Sequence, residues 1–407
     1  MMKQVDNNIR ITFLGDLMCT IPMTQKAKRE SGYNFSPVFD RIKDSLSSSD
    51  YVVGNLETPL AGEDCLYTFH PTEFNTPDEF VIAAYKVGIN MMTTANNHSL
   101  DRGLYGLKRT IEILDKYGIE HVGTQIGTDT NRTLYKTIEG IRFAFISYTY
   151  DTNSIWMNNK LNEDKLYHIN LFKEQDMFPY GGDGFKRSGI KHTIHSLIPD
   201  YVKDLIRDKS KVDCGSCDDF ASDKNKWYEE RLYEDIKKAK EKSDYVCICL
   251  HIGGQYNDVI GVYTQKMVDK CKEVGANFII CNHPHCVLPI SIDKDGTLVA
   301  YALGNFCYTP KWGYYVEGKY SDYSVALHLL FNKESKKISD IRFSVLKSIN
   351  NDVNTQVYNT FDLYNTERTN GVRHEIEKDI RAVLYRLFGV KLNSLAINKE
   401  YSICEFL

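Results

Sequence analysis

The sequence predicts an α/β fold, on three observations. Short runs of β-branched and aromatic residues alternate with amphipathic runs of helical period along most of the chain. The composition, 42% hydrophobic and 26% charged over 407 residues, is that of a chain able to bury a sizeable core. It excludes a disordered chain, a collagen-like repeat and a small disulfide scaffold. Residues able to hold a metal also gather just past the ends of the apolar runs. The length fits two or three domains, or one large α/β domain with insertions.

Residues 9–16 (IRITFLGD) read as a strand that delivers a carboxylate to its carboxyl end. Residues 36–47 read as a helix, with Ser36 as N-cap and Pro37 at the first helical position. A second buried strand is expected at 51–57, a helix at 77–87, and a strand running into a polar turn at 87–98. An amphipathic helix at 104–118 stops at Gly118, and 141–150 is another strand. From about 151 to 225 the chain is rich in Asn, Asp, Lys and Tyr and reads as an insertion or lid. Alternation then resumes, with helices at 227–242 and 264–275 and strands at 243–254, 276–285 and 297–306. Segments 323–331 and 339–349 read as antiparallel strands at the end of a sheet. An amphipathic helix at 372–389 is expected to dock on the body, giving a main domain over 1–350 and a C-terminal helical extension over 351–407.

Fifty basic residues against 54 acidic ones leave a net charge of −4, which argues against a dedicated nucleic-acid binder. The 27 tyrosines are read as half-buried packing rather than as the lining of a sugar-like cleft. Eleven cysteines, an odd number, several of them scattered through apparent strands, suit a reducing compartment. Cys214 and Cys217 have the spacing of a redox or zinc half-site, but no second pair accompanies them, and two incidental loop thiols are preferred. The N-terminus lacks a secretory pattern, and no run approaches the roughly 18 apolar residues of a membrane helix. A cytoplasmic protein without an integral membrane segment is expected.

Metal-capable residues follow strand after strand. Asp16 ends the first, Asn55 and Glu57 the second, Asn97 and His98 the third. His251 ends a later strand, and His283 and His285 the next. Residues past the carboxyl ends of strands converge on one edge of an α/β sheet, where ligands bind. Asp, Glu, Asn and His are ligands for zinc, manganese or iron, and a carboxylate can bridge two ions. Each has a plainer alternative. Asp16 could cap a helix, Asn97 could serve a turn, and His251 could be a buried, satisfied histidine. His283-Pro284-His285 is the sharpest signal, since an extended segment would put both imidazoles on one face.

The runs GDLM (15–18), GNLETPL (54–60), ANNHSLDRG (95–103), HIGGQYN (251–257), NHPH (282–285) and YALGNF (301–306) resemble the CapA family of bacterial capsule and poly-γ-glutamate biosynthesis proteins. That family looks like a branch of the calcineurin-like metallophosphoesterases, and the resemblance spans about residues 9–330. It implies a four-layer sandwich of two mixed β-sheets flanked by helices. It also implies metal ligands at Asp16, Asn97, His251, His283 and His285, with Asn55 or Glu57 in the region of the bridging carboxylate. His98 matches a histidine proposed as general acid or transition-state stabiliser.

Two departures stand out. Met18 occupies the place of the superfamily's Asp-x-His histidine, and a thioether is a poor ligand for such cations, so one of two metal sites is expected to be weakened or absent. Gln255 replaces a Glu common in the family and makes the site more neutral. Two functions remain open at this stage. One is a divalent-metal hydrolase of a phosphoester or γ-glutamyl-type bond. In it Glu57 would bridge or orient water, His98 would protonate the leaving group, and Arg102 and Gln255 would contact substrate; for Arg102, a solvated salt bridge with Asp101 or another acid is at least as good a reading. The other is a non-catalytic accessory protein binding an anionic polymer or a capsule-synthesis partner.

Overall fold

The computed structural model describes residues 7–128, 131–175, 223–313 and 316–407. Cys214, Cys217 and most of the expected 151–225 insertion lie outside them. Fifteen strands among the described residues form two mixed sheets. In the first sheet, β1 (Asn8–Leu17), β2 (Tyr51–Leu56), β3 (Met91–Thr93) and β4 (Glu120–Val122) run parallel. The second sheet holds β5 (Thr133–Ile138), β6 (Ile141–Thr149), β7 (Tyr245–His251), β8 (Phe278–Asn282), β9 (Ile290–Ile292) and β10 (Leu298–Ala300). The first sheet continues through β11 (Asn305–Cys307), β12 (Tyr323–Asn332), β13 (Ile338–Asn350), β14 (Thr355–Asn359) and β15 (Tyr401–Ser402).

The period-2 pattern of the strands builds the layers. Phe143 and Phe145 of β6 and Cys247 and Cys249 of β7 face a shared core with Ile11, Phe13, Val325 and Leu327 of the first sheet. The alternate residues Ala144, Ile146, Val246 and Ile248 pack outward on Leu232, Ile236, Met267 and Val268 of the helices Lys226–Lys242 and Val262–Val274. Val52, Leu56 and Met92 of the first sheet pack outward on Met23, Phe39, Phe80, Val81 and Leu114 of its own helices. The result is helix, sheet, sheet, helix, the four-layer sandwich expected. The helix Asn370–Phe388 adds Ile376, Ile380, Val383, Leu384 and Leu387 to the shared core, so the tail contributes both core side chains and strands.

Several local expectations are corrected. The 36–47 helix is two short helices, Ser36–Phe39 and Lys43–Leu46. Ser36 is a helical residue rather than the N-cap; the Asn34 side chain accepts its N–H at 3.0 Å. The β12–β13 hairpin is not at a sheet end. β12 pairs with both β1 and β13, which is why nearly every residue of it is buried. Residues 297–306 are two strands in different sheets, β10 and β11, because Gly304 at φ +76 turns the chain from one sheet to the other. Gly15 accepts that crossing: a Cβ there would run into the Gly304 carbonyl, which instead takes the Asp16 N–H at 2.9 Å. No helix among the described residues is long and apolar enough to cross a membrane.

Candidate metal centre

The parallel strands β1, β2 and β3 of one sheet and β7 and β8 of the other bring their carboxyl ends together, and the polar residues that follow them meet there. Glu57 lies at the middle, fully buried. With Asp16 and His285 it forms one group of potential ligand atoms within 4.8 Å of one another, and with His251 and His283 a second. Thus one carboxylate is common to two three-residue groups. His251 Nε2 lies 3.4 Å from Glu57 Oε1, 3.1 Å from His283 Nδ1 and 2.8 Å from Asn97 Oδ1. Across the centre, His285 Nδ1 lies 3.3 Å from Asp16 Oδ2.

Three carboxylate oxygens here, Asp16 Oδ2 and both of Glu57, are buried without a hydrogen-bond partner. Burying ionised oxygens unpaired is strongly unfavourable, and a cation held between them would compensate it. Electrostatics agree. Burial and the Asp16 charge push the Glu57 carboxyl well above the usual range. At Asp16 burial works upward, but His285 and His251 outweigh it and hold the carboxyl low. Burial pushes His251 down to about 3 and His283 well below its ordinary value, so both imidazoles are neutral and have lone pairs to offer. The donor set, carboxylates with neutral imidazoles and an amide oxygen, suits zinc, manganese or iron.

His283 and His285 reach the centre by a route unlike the expected one. The segment is not extended: the two residues have φ of +107 and +56. Tyr256, whose ring centroid is 5.7 Å from that of His285, also has a positive φ, +56. Non-glycine residues rarely adopt this backbone, and three such residues at one centre concentrate strain where a site is built.

Asn55 is at the centre, but its oxygen accepts from the Thr93 hydroxyl at 3.0 Å and its amide donates to Asp16 Oδ1 at 2.8 Å. It braces Asp16 in this arrangement. Met18 is buried with Phe74, Tyr308 and Trp312, which accounts for a thioether at that position. His98 stands with Nε2 4.0 Å from Glu57 Oε1, and its Nδ1 is 2.7 Å from Asp101 Oδ2. Burial opposes its charge, but Asp101 outweighs burial and raises the imidazole. The Arg102 guanidinium donates to the carbonyls of Cys65, Asp101 and Leu66, so it is engaged by the loop that carries Phe74. Gln255 is half-buried beside Tyr256.

Sequence reasoning gave no role to Tyr150 or Asn153 and treated Asp101 only as a partner for Arg102. The Tyr150 hydroxyl meets His283 Nε2 at 3.2 Å, and Asn153 Oδ1 accepts from the Asn97 amide at 3.1 Å. Both lie just past the carboxyl end of β6, where the rule that singled out the other strand ends points as well.

Residues 10–309 match the family described as bacterial capsule synthesis protein PGA_cap. The chain belongs to this family. Among curated members, the capsule biosynthesis protein CapA of Bacillus anthracis is 24% identical over 312 residues, covering 75% of this chain and 61% of that protein. The PGA biosynthesis protein CapA of Bacillus subtilis (strain 168) is 22% identical over 310 residues, covering 75% and 65%. The chain thus spans less than two thirds of the length of these PGA_cap relatives. Among solved structures, a hypothetical protein from Thermus thermophilus aligns with 83% of this chain and 99% of its own, at 14% identity and a TM-score of 0.41. A novel phosphatase from Mycoplasma pneumoniae aligns with 84% and 94%, at 10% identity and the same TM-score.

Proposed function

We propose that this PGA_cap protein is a divalent-metal-dependent hydrolase of capsule or poly-γ-glutamate biosynthesis, acting on a phosphoester or γ-glutamyl-type bond. The observation that carries the reading is the buried, unpartnered set of carboxylate oxygens on Glu57 and Asp16, ringed by His251, His283 and His285. Asp16, Glu57 and His285 would hold one cation, and Glu57, Asn97, His251 and His283 another. Zinc, manganese or iron bound there supplies Lewis acidity and activates water. Glu57 ties the two positions together. His98, with Nε2 4.0 Å from Glu57 Oε1, holds a proton, kept by Asp101, for a leaving group. Asp101 also accepts the Phe74 N–H at 2.7 Å, which fixes the carboxylate and through it the ring.

The accessory reading has one observation in its favour. With Met18 turned into an aromatic cluster, the Asp16 group offers three His, Asp or Glu side chains among the described residues. Elemental analysis separates the two readings, on protein purified without chelator or immobilised nickel, beside an Asp16→Ala/His283→Ala variant. The hydrolase reading expects near-stoichiometric metal in the parent, lost in the variant, and metal-dependent turnover in a screen of phosphoesters and γ-glutamyl substrates. No metal in either protein after reconstitution with manganese, zinc or iron would sink it.

A further inference from the structure

The motif YALGNF (301–306) has no chemistry of its own in the hydrolase reading, yet its asparagine lies inside the centre. Asn305 is buried and sits on β11, opposite Asp16 in the parallel register with β1. Its Oδ1 is 3.0 Å from His285 Nδ1. Its amide donates to the backbone carbonyls of His285 and Ser321, at 3.3 and 3.0 Å. Both carbonyls can only accept, so the amide orientation is settled: nitrogen toward the carbonyls, oxygen toward the imidazole. An oxygen facing a ring nitrogen at this distance requires a hydrogen on that nitrogen. The second neighbour of Nδ1, Asp16 Oδ2 at 3.3 Å, is also an acceptor. Nε2 then carries the lone pair of the neutral ring, and it lies 3.9 Å from Glu57 Oε1.

We infer that Asn305 is a positioning residue that fixes the tautomer of His285, with hydrogen on Nδ1, so that Nε2 is the nitrogen presented to a cation. The inference rests on the metal reading above for its consequence but not for its geometry. The same side chain holds the His285 carbonyl, so it sets the backbone and the ring of this residue together. That matters because His285 has a left-handed backbone and no regular strand to hold it. The crossing of β10 into β11 thereby acquires a purpose. It places on the first sheet, beside Asp16, the group that orients a histidine delivered by the second.

The test uses the full chain labelled with 15N-histidine. Long-range proton–nitrogen spectra are recorded with zinc and without it, and His285 is assigned by His285→Gln. Expected in the zinc-loaded protein is a metal-bound Nε2 with a protonated Nδ1. Asn305→Leu is expected to weaken zinc binding by about 10- to 100-fold, the usual effect of losing a partner behind a metal ligand. Asn305→Asp keeps an acceptor against Nδ1 but loses both amide donors. It should stay closer to the parent in zinc affinity than Asn305→Leu; a side chain that serves only to tie carbonyls would make the two variants equally poor. A metal-bound Nδ1, or unchanged zinc affinity in Asn305→Leu, overturns the inference. If the parent binds no zinc, the metal reading fails by itself. The neutral ring of the metal-free protein then decides: Nδ1–H supports the role of Asn305, and Nε2–H overturns it.

Discussion

Glu57 is the residue at which folding and function pull apart. Its two oxygens are buried with no donor, an arrangement a protein without ligand gains nothing from. Bound metal should therefore stabilise the fold strongly and through this residue. At a hundredfold its dissociation constant, a ligand specific to the folded state adds about 2.7 kcal/mol. Thermal unfolding of the parent should shift upward with manganese or zinc and return with chelator, whereas Glu57→Gln should show no metal-dependent shift. A second expectation concerns His98. Asp101→Asn removes the charge that keeps its proton and should lower turnover about 100-fold or more, with metal content unchanged. Equal turnover in Asp101→Asn would remove His98 from the proton transfer. At this scale the sequence locates the candidate ligands, since most of them follow a strand that is readable from its apolar run. It was uninformative for Asn153 and Asn305. Both act by where an amide points, and that depends on loops whose course no periodicity reports.

At the scale of elements, β1, β6 and β12 were readable because nearly every residue in them is buried and their apolar runs are nearly continuous. β3, β10 and β11 have three residues each, shorter than the 87–98 and 297–306 runs that predict strands there, and their bounds are set by their neighbours in the sheets. The 297–306 run looks like one strand because it is apolar without a break from Leu298 to Leu303. Only Gly304 marks the point where it changes sheet. That junction is tight: Gly15 and Gly304 face each other with no room for a side chain. Gly15→Ala should force β1 and the crossing apart and destabilise by about 3 kcal/mol or more, above the ordinary range for an added methyl. Urea denaturation reads this as a lower midpoint with an unchanged slope. A midpoint equal to the parent's would mean that the junction yields at little cost.

Over the whole molecule, stability should fall on mild acidification, for a reason remote from the metal centre. His328 of β12 is buried between the Thr12 hydroxyl, 2.8 Å from Nδ1, and the Ser344 hydroxyl, 3.1 Å from Nε2. Burial first, then the charges of Arg10 and Arg342, hold its folded-state value well below the ordinary one. The unfolded chain takes up the proton first, near the ordinary histidine value of 6.5. This contribution is therefore complete above that pH and is lost as the pH falls, at about 1.4 kcal/mol per unit until the folded form also titrates. His328→Gln should flatten the slope below pH 6.5; an identical slope in parent and variant would assign the loss to other groups.

The tail bears on the molecule differently from what its position in the chain suggests. The family match stops at residue 309, yet β12, β13 and β14 come later and the last long helix adds five side chains to the core shared by the sheets. From that helix Arg386 also reaches Asp258, at 3.3 Å, and Asp258 is held by Lys319 at 2.7 Å, two residues beyond Tyr256. Homology and folding therefore divide this chain at different places. A ribosome that has released only the matched region has not yet delivered the partners that β1 needs on its other side. β12, which flanks β1 on that side and so backs the strand carrying Asp16, is made after every candidate ligand of the centre.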